Sequence, residues 1–141
     1  MPLMDIGTSG LAVGISRHGT WLVGDSSECV PVRSRPGGVR MLPVLEKEPE
    51  PTVHQLAAIL VECKCLVEGG HEGPLLVAIE TALLGGSDYW AGLAVEWLRV
   101  LAPSSEILEI LEQLVNQPWA SQKTRHAARK VLRERQGQLR T

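Results

Sequence analysis

Three side chains near the N-terminus, His18, Asp25 and Ser27, are of the types that form a hydrolytic triad. They lie within ten residues of one another, in segments whose composition is typical of turns. No glycine-flanked serine of the nucleophile-elbow type accompanies them, and no loop resembles an oxyanion hole. We interpret them as solvated turn residues, and we expect neither catalytic residues nor enzymatic activity.

A metal site would have to use His54, Cys63, Cys65 and His71. On a helix, two cysteines separated by one residue point about 200° apart, and His54 would lie about 16 Å from Cys65 along the axis. Zinc requires ligands at about 2.0–2.3 Å in a tetrahedron. The segment Gly7-Thr8-Ser9-Gly10 also lacks the Lys-Ser/Thr and the following helix of a phosphate loop. We therefore expect no metal and no cofactor.

The most informative polar feature is a run of cations near the C-terminus. Between Pro118 and Thr141, seven lysines and arginines stand against a single glutamate, a local charge of +6 in a chain whose net charge is −2. Three of the arginines repeat every four residues, which places them on one stripe of a helix. The candidate binding residues there are Lys123, Arg125, His126, Arg129, Lys130 and Arg133. A solvated helix face is the commonest explanation of such a stripe, and binding to an acidic protein or to phosphate is the other.

The four tryptophans fall into two pairs. Trp90 and Trp97 are seven residues apart on the apolar side of a predicted helix, so we expect them in the core. Trp21 lies in a predicted hairpin and Trp119 between two predicted helices. Because tryptophan is enriched at binding hot spots, these two are further candidate binding residues. Alternatively, they cover an edge of the core.

Residues 1–45 predict the elements of a small antiparallel meander. The β-type runs are Val13–Ser16, Thr20–Val23, Cys29–Arg33 and Val39–Leu45, with a turn at Arg35-Pro36-Gly37-Gly38. Residues 46–51, Glu-Lys-Glu-Pro-Glu-Pro, predict a stiff solvated linker. Whether the strands pair within one chain or with another chain is left open by the sequence.

Residues 52–135 predict five helices, and residues 136–141 a frayed tail. The helices are predicted over about Thr52–Glu68 (with Thr52 and Gln55 as a capping box), Pro74 to Gly85-Gly86, Ser87 to before Pro103, Ser105–Gln117 and Ser121–Arg135. The fourth carries Glu106, Glu109 and Glu112 opposite its apolar side, typical of a wet face or of an acidic patch.

The last four predicted helices form two hairpins. The first helices of the two hairpins begin 31 residues apart, at Pro74 and Ser105, and the second helices begin 34 residues apart, at Ser87 and Ser121. This spacing is typical of stacked helix pairs. The stretch Ser121–Arg135, with paired alanines flanked by basic residues, resembles the second helix of a HEAT-type repeat. The resemblance covers about Pro74 to Arg135. It implies a helical stack with a surface for macromolecules, and it brings no catalytic residues.

Length and composition place limits on the remaining possibilities. A chain of 141 residues with 44% hydrophobic residues predicts one α+β domain with one core. Three cysteines do not make a disulfide framework, so free thiols and a cytoplasmic location are expected. Residues 1–14 are a poor signal peptide, and no apolar run of about 18 residues predicts a membrane span.

These observations favour a non-catalytic module that binds another protein, such as an acidic one, in fixed stoichiometry. Immunity proteins, inhibitors and adaptors are of this kind. The alternative is a regulator that contacts nucleic acid through the basic helix, although the aromatic residues that stack on single strands are missing there. Oligomeric state is not indicated by the sequence.

Overall fold

The computed structural model describes residues 3–7, 10–64, 67 and 69–139. The fold is α+β: a four-stranded antiparallel sheet is followed by helices. The chain divides into two compact units, Met1–Ala78 and Ile79–Thr141.

The sheet of the first unit is a meander in the order β1-β2-β3-β4, paired within one chain. Its strands are β1 (Leu3–Ile6), β2 (Leu11–Ile15), β3 (Trp21–Gly24) and β4 (Cys29–Pro31). Alternate side chains of the first three strands point into the core, because successive residues of a strand face opposite sides. These buried residues are Met4, Ile6, Val13, Ile15, Trp21 and Val23.

Two tight turns close the hairpins. Between β2 and β3, the Ser16 hydroxyl oxygen accepts hydrogen bonds from the backbone N–H groups of His18 and Thr20, and Gly19 adopts a positive φ of 82°. Between β3 and β4, the Asp25 carboxylate accepts hydrogen bonds from the backbone N–H groups of Ser27 and Glu28. The two predicted hairpin strands and the third strand are thereby confirmed, with shifted ends.

The predicted fourth strand, Val39–Leu45, is wrong. This segment belongs to helix α1 (Arg35–Met41) and to a 3-10 turn, Leu42–Glu46. Ser34 caps α1 by accepting a hydrogen bond from the Gly37 N–H at 3.1 Å. Gly37 was interpreted as part of a turn, but here it lets the helix start lie against β4, since a Cβ atom would overlap the Pro31 carbonyl oxygen. The fourth strand of the sheet is instead β1, which the sequence did not reveal.

Helix α2 (Pro49–Cys63) begins three residues before the predicted start. Pro49 and Pro51 both fit a first turn, where their missing N–H groups have no helical partner in any case. Thr52 is therefore inside the helix and is not its cap. Its hydroxyl donates a hydrogen bond to the Glu48 carbonyl oxygen at 2.7 Å.

The linker predicted over residues 46–51 is shorter in the structure, where only the residues between Glu46 and Pro49 lie outside helices. Helix α2 ends before the predicted end at Glu68, because Lys64 adopts a left-handed backbone conformation. Helices α1 and α2 pack against the sheet.

Helix α3 (Gly73–Leu84) passes from the first unit into the second, and follows a 3-10 turn, Gly70–Glu72. It ends before Gly85-Gly86, as expected for glycines that stop a helix. In the second unit, α4 (Asp88–Trp97) is shorter than predicted, and α5 (Ser105–Leu114) begins at the predicted residue. Helix α6 (Gln122–Leu139) extends four residues beyond Arg135, so the segment predicted as frayed is helical through Leu139.

Helix α6 packs against both α4 and α5. The predicted hairpin of α5 with α6 is confirmed, and α4 also packs against α6. The core of this unit contains Leu83, Val95, Trp97, Ile107, Leu111, Ala128 and Val131. Trp97 is fully buried, as predicted, and Trp90 is half-buried with its ring edge-on to Tyr89 at 5.0 Å.

Candidate basic binding face on helix α6

The start of α6 is fixed by hydrogen bonds from two directions. The Ser121 hydroxyl accepts from the Thr124 N–H at 3.1 Å, which is the usual cap of a helix N-terminus. The Asp88 carboxylate, on α4, accepts from the Ser121 N–H at 2.7 Å. This Ser121 N–H lowers the pKa of Asp88 below its ordinary value, aided by the Thr124 and Ser121 hydroxyls and the charge of Lys123. An anion beside a helix N-terminus also interacts favourably with the helix dipole.

Small residues set the depth at which α6 lies on its neighbours. Ala128 is completely buried, and Thr124 is 5% exposed. Gly92 of α4 faces the same point, because a Cβ atom on it would lie 3.4 Å from the Thr124 hydroxyl oxygen. Of the two adjacent alanines, Ala128 is thus buried and Ala127 is half-buried, and the cations lie on the opposite side of α6.

The sequence-predicted basic residues lie on this opposite side. Lys123, His126, Arg129, Lys130 and Arg133 are exposed, and Arg125 is half-buried. Among the described residues, the side chains of Arg129, Lys130 and Arg133 have no hydrogen-bond or ion-pair partner. Arg125 differs, because its Nε is buried without a hydrogen-bond partner. We call Lys123, His126, Arg129, Lys130 and Arg133 the basic face; Arg140, counted in the charge of the segment, lies outside the described residues.

A shallow depression lies within the basic face. It is lined by His126, Arg129, Leu132 and Arg133, and Leu132 is half-buried at its apolar wall. Leu132 is not among the binding residues predicted from the sequence. Its partial exposure among cations was not predicted, since helical periodicity does not show how far a neighbouring helix reaches.

Helix α5 carries the opposite charge. Glu106, Glu109 and Glu112 are all exposed, as predicted for a solvated or acidic surface. Ser104 caps α5 by accepting a hydrogen bond from the Ile107 N–H at 3.2 Å. The pKa of Glu106 is lowered, first by its own backbone N–H and then by the Ser104 hydroxyl. The second unit therefore has an acidic helix beside a basic one.

The two tryptophans proposed as anchors have different environments. Trp21 is 5% exposed, and its indole N–H donates to the Gly70 carbonyl oxygen at 3.0 Å. An exposed anchor at Trp21 is thereby excluded, and the alternative, an indole that covers a core edge, is what the structure shows. Trp119 is half-buried and borders a groove with Leu84, Ile110 and Gln117, so it does not adjoin the depression of the basic face.

A groove of about 270 Å³ separates parts of α4 and α6. Its polar lining includes Asp88, Glu96, Ser121 and Lys123. The Asp88 carboxylate accepts the hydrogen bond from the Ser121 N–H at the start of α6, and Glu96 forms an ion pair with Arg99 at 3.6 Å. The bond between Asp88 and Ser121 holds the start of α6 against α4.

The residues considered for hydrolysis belong to turns. The Ser27 hydroxyl donates to the Asp25 carboxylate at 2.7 Å, and the backbone N–H groups of Ser27 and Glu28 donate to the same oxygen. These bonds, with the Ser27 hydroxyl first, lower the pKa of Asp25. Asp25 thus closes the β3–β4 turn, and no contact brings His18 to it among the hydrogen bonds of the described residues.

The cysteines and histidines considered as metal ligands do not form a cluster among the described residues. Within residues 3–7, 10–64, 67 and 69–139, no group of three or more His, Cys, Asp or Glu side chains could hold a metal ion. Cys29 is free and exposed, but Cys63 is disulfide-bonded, which differs from the expected free thiols. Cys65, the other cysteine of the metal hypothesis, lies outside the described residues. Throughout the described part of the chain, every helix is too short or too polar to cross a membrane.

No protein-family model matches the chain, and neither a curated protein nor a solved structure shows significant similarity to it. The site is therefore interpreted from its own geometry.

Proposed function

We propose that this protein is a non-catalytic binding module that acts by stoichiometric association with an acidic surface of a partner protein. The role is that of an immunity protein, an inhibitor or an adaptor. The observation that carries the proposal is the basic face of α6, where Arg129, Lys130 and Arg133 are exposed and have no ion-pair partner among the described residues. Uncompensated like charges in a row repel one another, so an acidic partner would relieve that repulsion.

The neighbouring helix favours a protein partner. A nucleic acid is a uniform polyanion, and the exposed glutamates of α5 would repel phosphates that run past α6. A protein surface carries both signs of charge and can be complementary to both helices. The HEAT-like resemblance of the sequence agrees with this role by analogy only.

The test is capture from the native host with a charge-reversed control. The wild-type chain is compared with Arg129→Glu/Arg133→Glu and with Arg17→Glu/Arg35→Glu, which makes the same charge change at exposed residues of the first unit. A partner that the wild type and the second variant retain, and the first variant loses, is then purified. Light scattering should show a fixed ratio, and the partner's mass should be unchanged by mass spectrometry.

Two outcomes would overturn the proposal. One is that no captured protein distinguishes the two variants. The other is that the partner is chemically altered over time, which would identify an enzyme.

The second candidate function is a nucleic-acid-associated regulator, which the same local charge of the α6 segment favours. It is tested by fluorescence anisotropy with DNA and RNA at low and high salt, using Arg125, Arg129 and Arg133 changed to Ala. Phosphate contacts predict binding that falls steeply with salt and that the triple variant loses. Equally weak binding in every condition would remove this candidate.

The cytoplasmic location expected from the sequence stays a prediction. The disulfide at Cys63 does not support this prediction, because a reducing compartment favours free thiols.

A further inference from the structure

We infer that the depression on α6 receives a short acidic segment of the partner that carries one apolar side chain, which packs on Leu132. The inference rests on the proposed function and specifies its partner. It starts from the composition of the depression, in which one half-buried leucine lies among His126, Arg129 and Arg133.

The spacing of these residues sets the size of the ligand. His126 and Arg133 are seven positions apart on α6, which corresponds to about 10 Å along the helix axis. Extended chain rises about 3.3 Å per residue, so four consecutive residues span the depression. The depression therefore contacts a segment of about four residues within the acidic surface of the partner.

Charge alone would bind such a segment weakly. The cations are exposed, and ion pairs in water contribute little because solvent and salt screen them. An apolar side chain adds the free energy of removing its own surface and that of Leu132 from water, and the peptide contacts formed around it limit the access of solvent. A polyanion without apolar groups would leave Leu132 uncovered, which is why we assign a peptide and not a nucleic acid.

The test uses two labelled peptides of identical charge and the full-length chain. One has a central leucine flanked on each side by glutamates, and the other has alanine at the same position. Fluorescence anisotropy at low salt should show the leucine peptide binding about fivefold more tightly, from partial burial of its additional carbons. Leu132→Ala should remove this preference, and Arg129→Gln/Arg133→Gln should weaken both peptides.

A matched control is Leu108→Ala, which shortens another half-buried leucine, on α5. It should keep the fivefold preference, and circular dichroism should show that both leucine variants remain folded. If Leu132→Ala does not fold, Leu132→Gln is used, because it keeps the side-chain length while removing the apolar end.

Equal binding of the two peptides by the wild-type chain would overturn the inference. So would a preference that Leu132→Ala leaves intact. If neither peptide binds while a captured partner still depends on Arg129 and Arg133, the inference fails and the proposed function stands. A mixed-sequence oligonucleotide that binds more tightly than both peptides would overturn the two together.

Discussion

Replacing Asp88 should weaken the anchoring of α6, and the effect should depend on pH. The Asp88 carboxylate accepts a hydrogen bond of 2.7 Å from the Ser121 N–H at the start of the helix. A hydrogen bond to a charged group contributes about 1.5–3 kcal/mol when buried, and we take the lower end because Asp88 is partly exposed. Asp88→Ala should therefore lower the free energy of unfolding by about 1.5 kcal/mol. Asp88→Asn keeps an acceptor oxygen and should lower it by about 0.5–1 kcal/mol, which is the charge contribution at a helix N-terminus.

The pH dependence follows from the lowered pKa of Asp88, whose largest cause is the Ser121 N–H. A carboxyl group with a lower pKa in the folded state stabilises the fold fully above its unfolded pKa of about 3.9. The stabilisation is lost as the pH falls through the folded pKa. The difference between wild type and Asp88→Asn should thus be constant from pH 7 to about 5 and shrink below pH 4.

The assay is urea unfolding followed by circular dichroism at several pH values, with Glu96→Gln as a control for loss of an exposed charge on α4. Among the described residues, Glu96 forms an ion pair with Arg99, just beyond the end of α4, and both side chains are exposed, so its variant should differ little from wild type. Equal stability of wild type and Asp88→Ala at pH 7, or a difference for Asp88→Asn that persists unchanged below pH 3, would refute the reasoning.

Three further substitutions test the packing, each by urea unfolding. Gly24→Ala should destabilise the first unit by about 3 kcal/mol, because a methyl group there would overlap the carbonyl oxygen of Glu28; stability within 0.5 kcal/mol of wild type would contradict this close approach. Trp21→Phe should remove about 1–2 kcal/mol, since it leaves the Gly70 carbonyl without the indole donor at 3.0 Å, and an unchanged midpoint would argue against that bond. Ala128→Leu should lower stability by about 1–3 kcal/mol, because the Ala128 side chain is completely buried; a neutral effect would mean that α6 is free to shift.

The sequence predicted α6 and its basic face well because a long helix repeats its pattern many times. Arg125, Arg129 and Arg133 recur every four residues, and the paired alanines mark the opposite side. By contrast, Arg35–Met41 was misassigned because Gly37 and Gly38 read as a turn. Glycine is needed at position 37 because the backbone there lies close to the Pro31 carbonyl oxygen. This contact joins two segments and cannot be seen in a local sequence pattern. Strand β1 was missed because it has four residues, too few for periodicity to be distinctive.

The site was predictable in its charges but not in its details. The bond between Asp88 and Ser121 joins residues 33 positions apart, and the half-buried state of Leu132 depends on tertiary packing, so local sequence patterns show neither. The environment of Trp21 also does not follow from the sequence. A tryptophan in a hairpin fits both a binding anchor and a core edge, and only its hydrogen bond to Gly70 separates the two.

The four tryptophans are distributed unevenly between the two units, so the fluorescence of the units differs. Trp21 is the single tryptophan of the first unit, whereas Trp90, Trp97 and Trp119 belong to the second. In a Trp21→Phe chain, all tryptophan emission comes from the unit that carries α6. Quenching or a spectral shift on adding a ligand would then report on that unit without any attached label, and the difference from wild type would isolate the signal of the sheet.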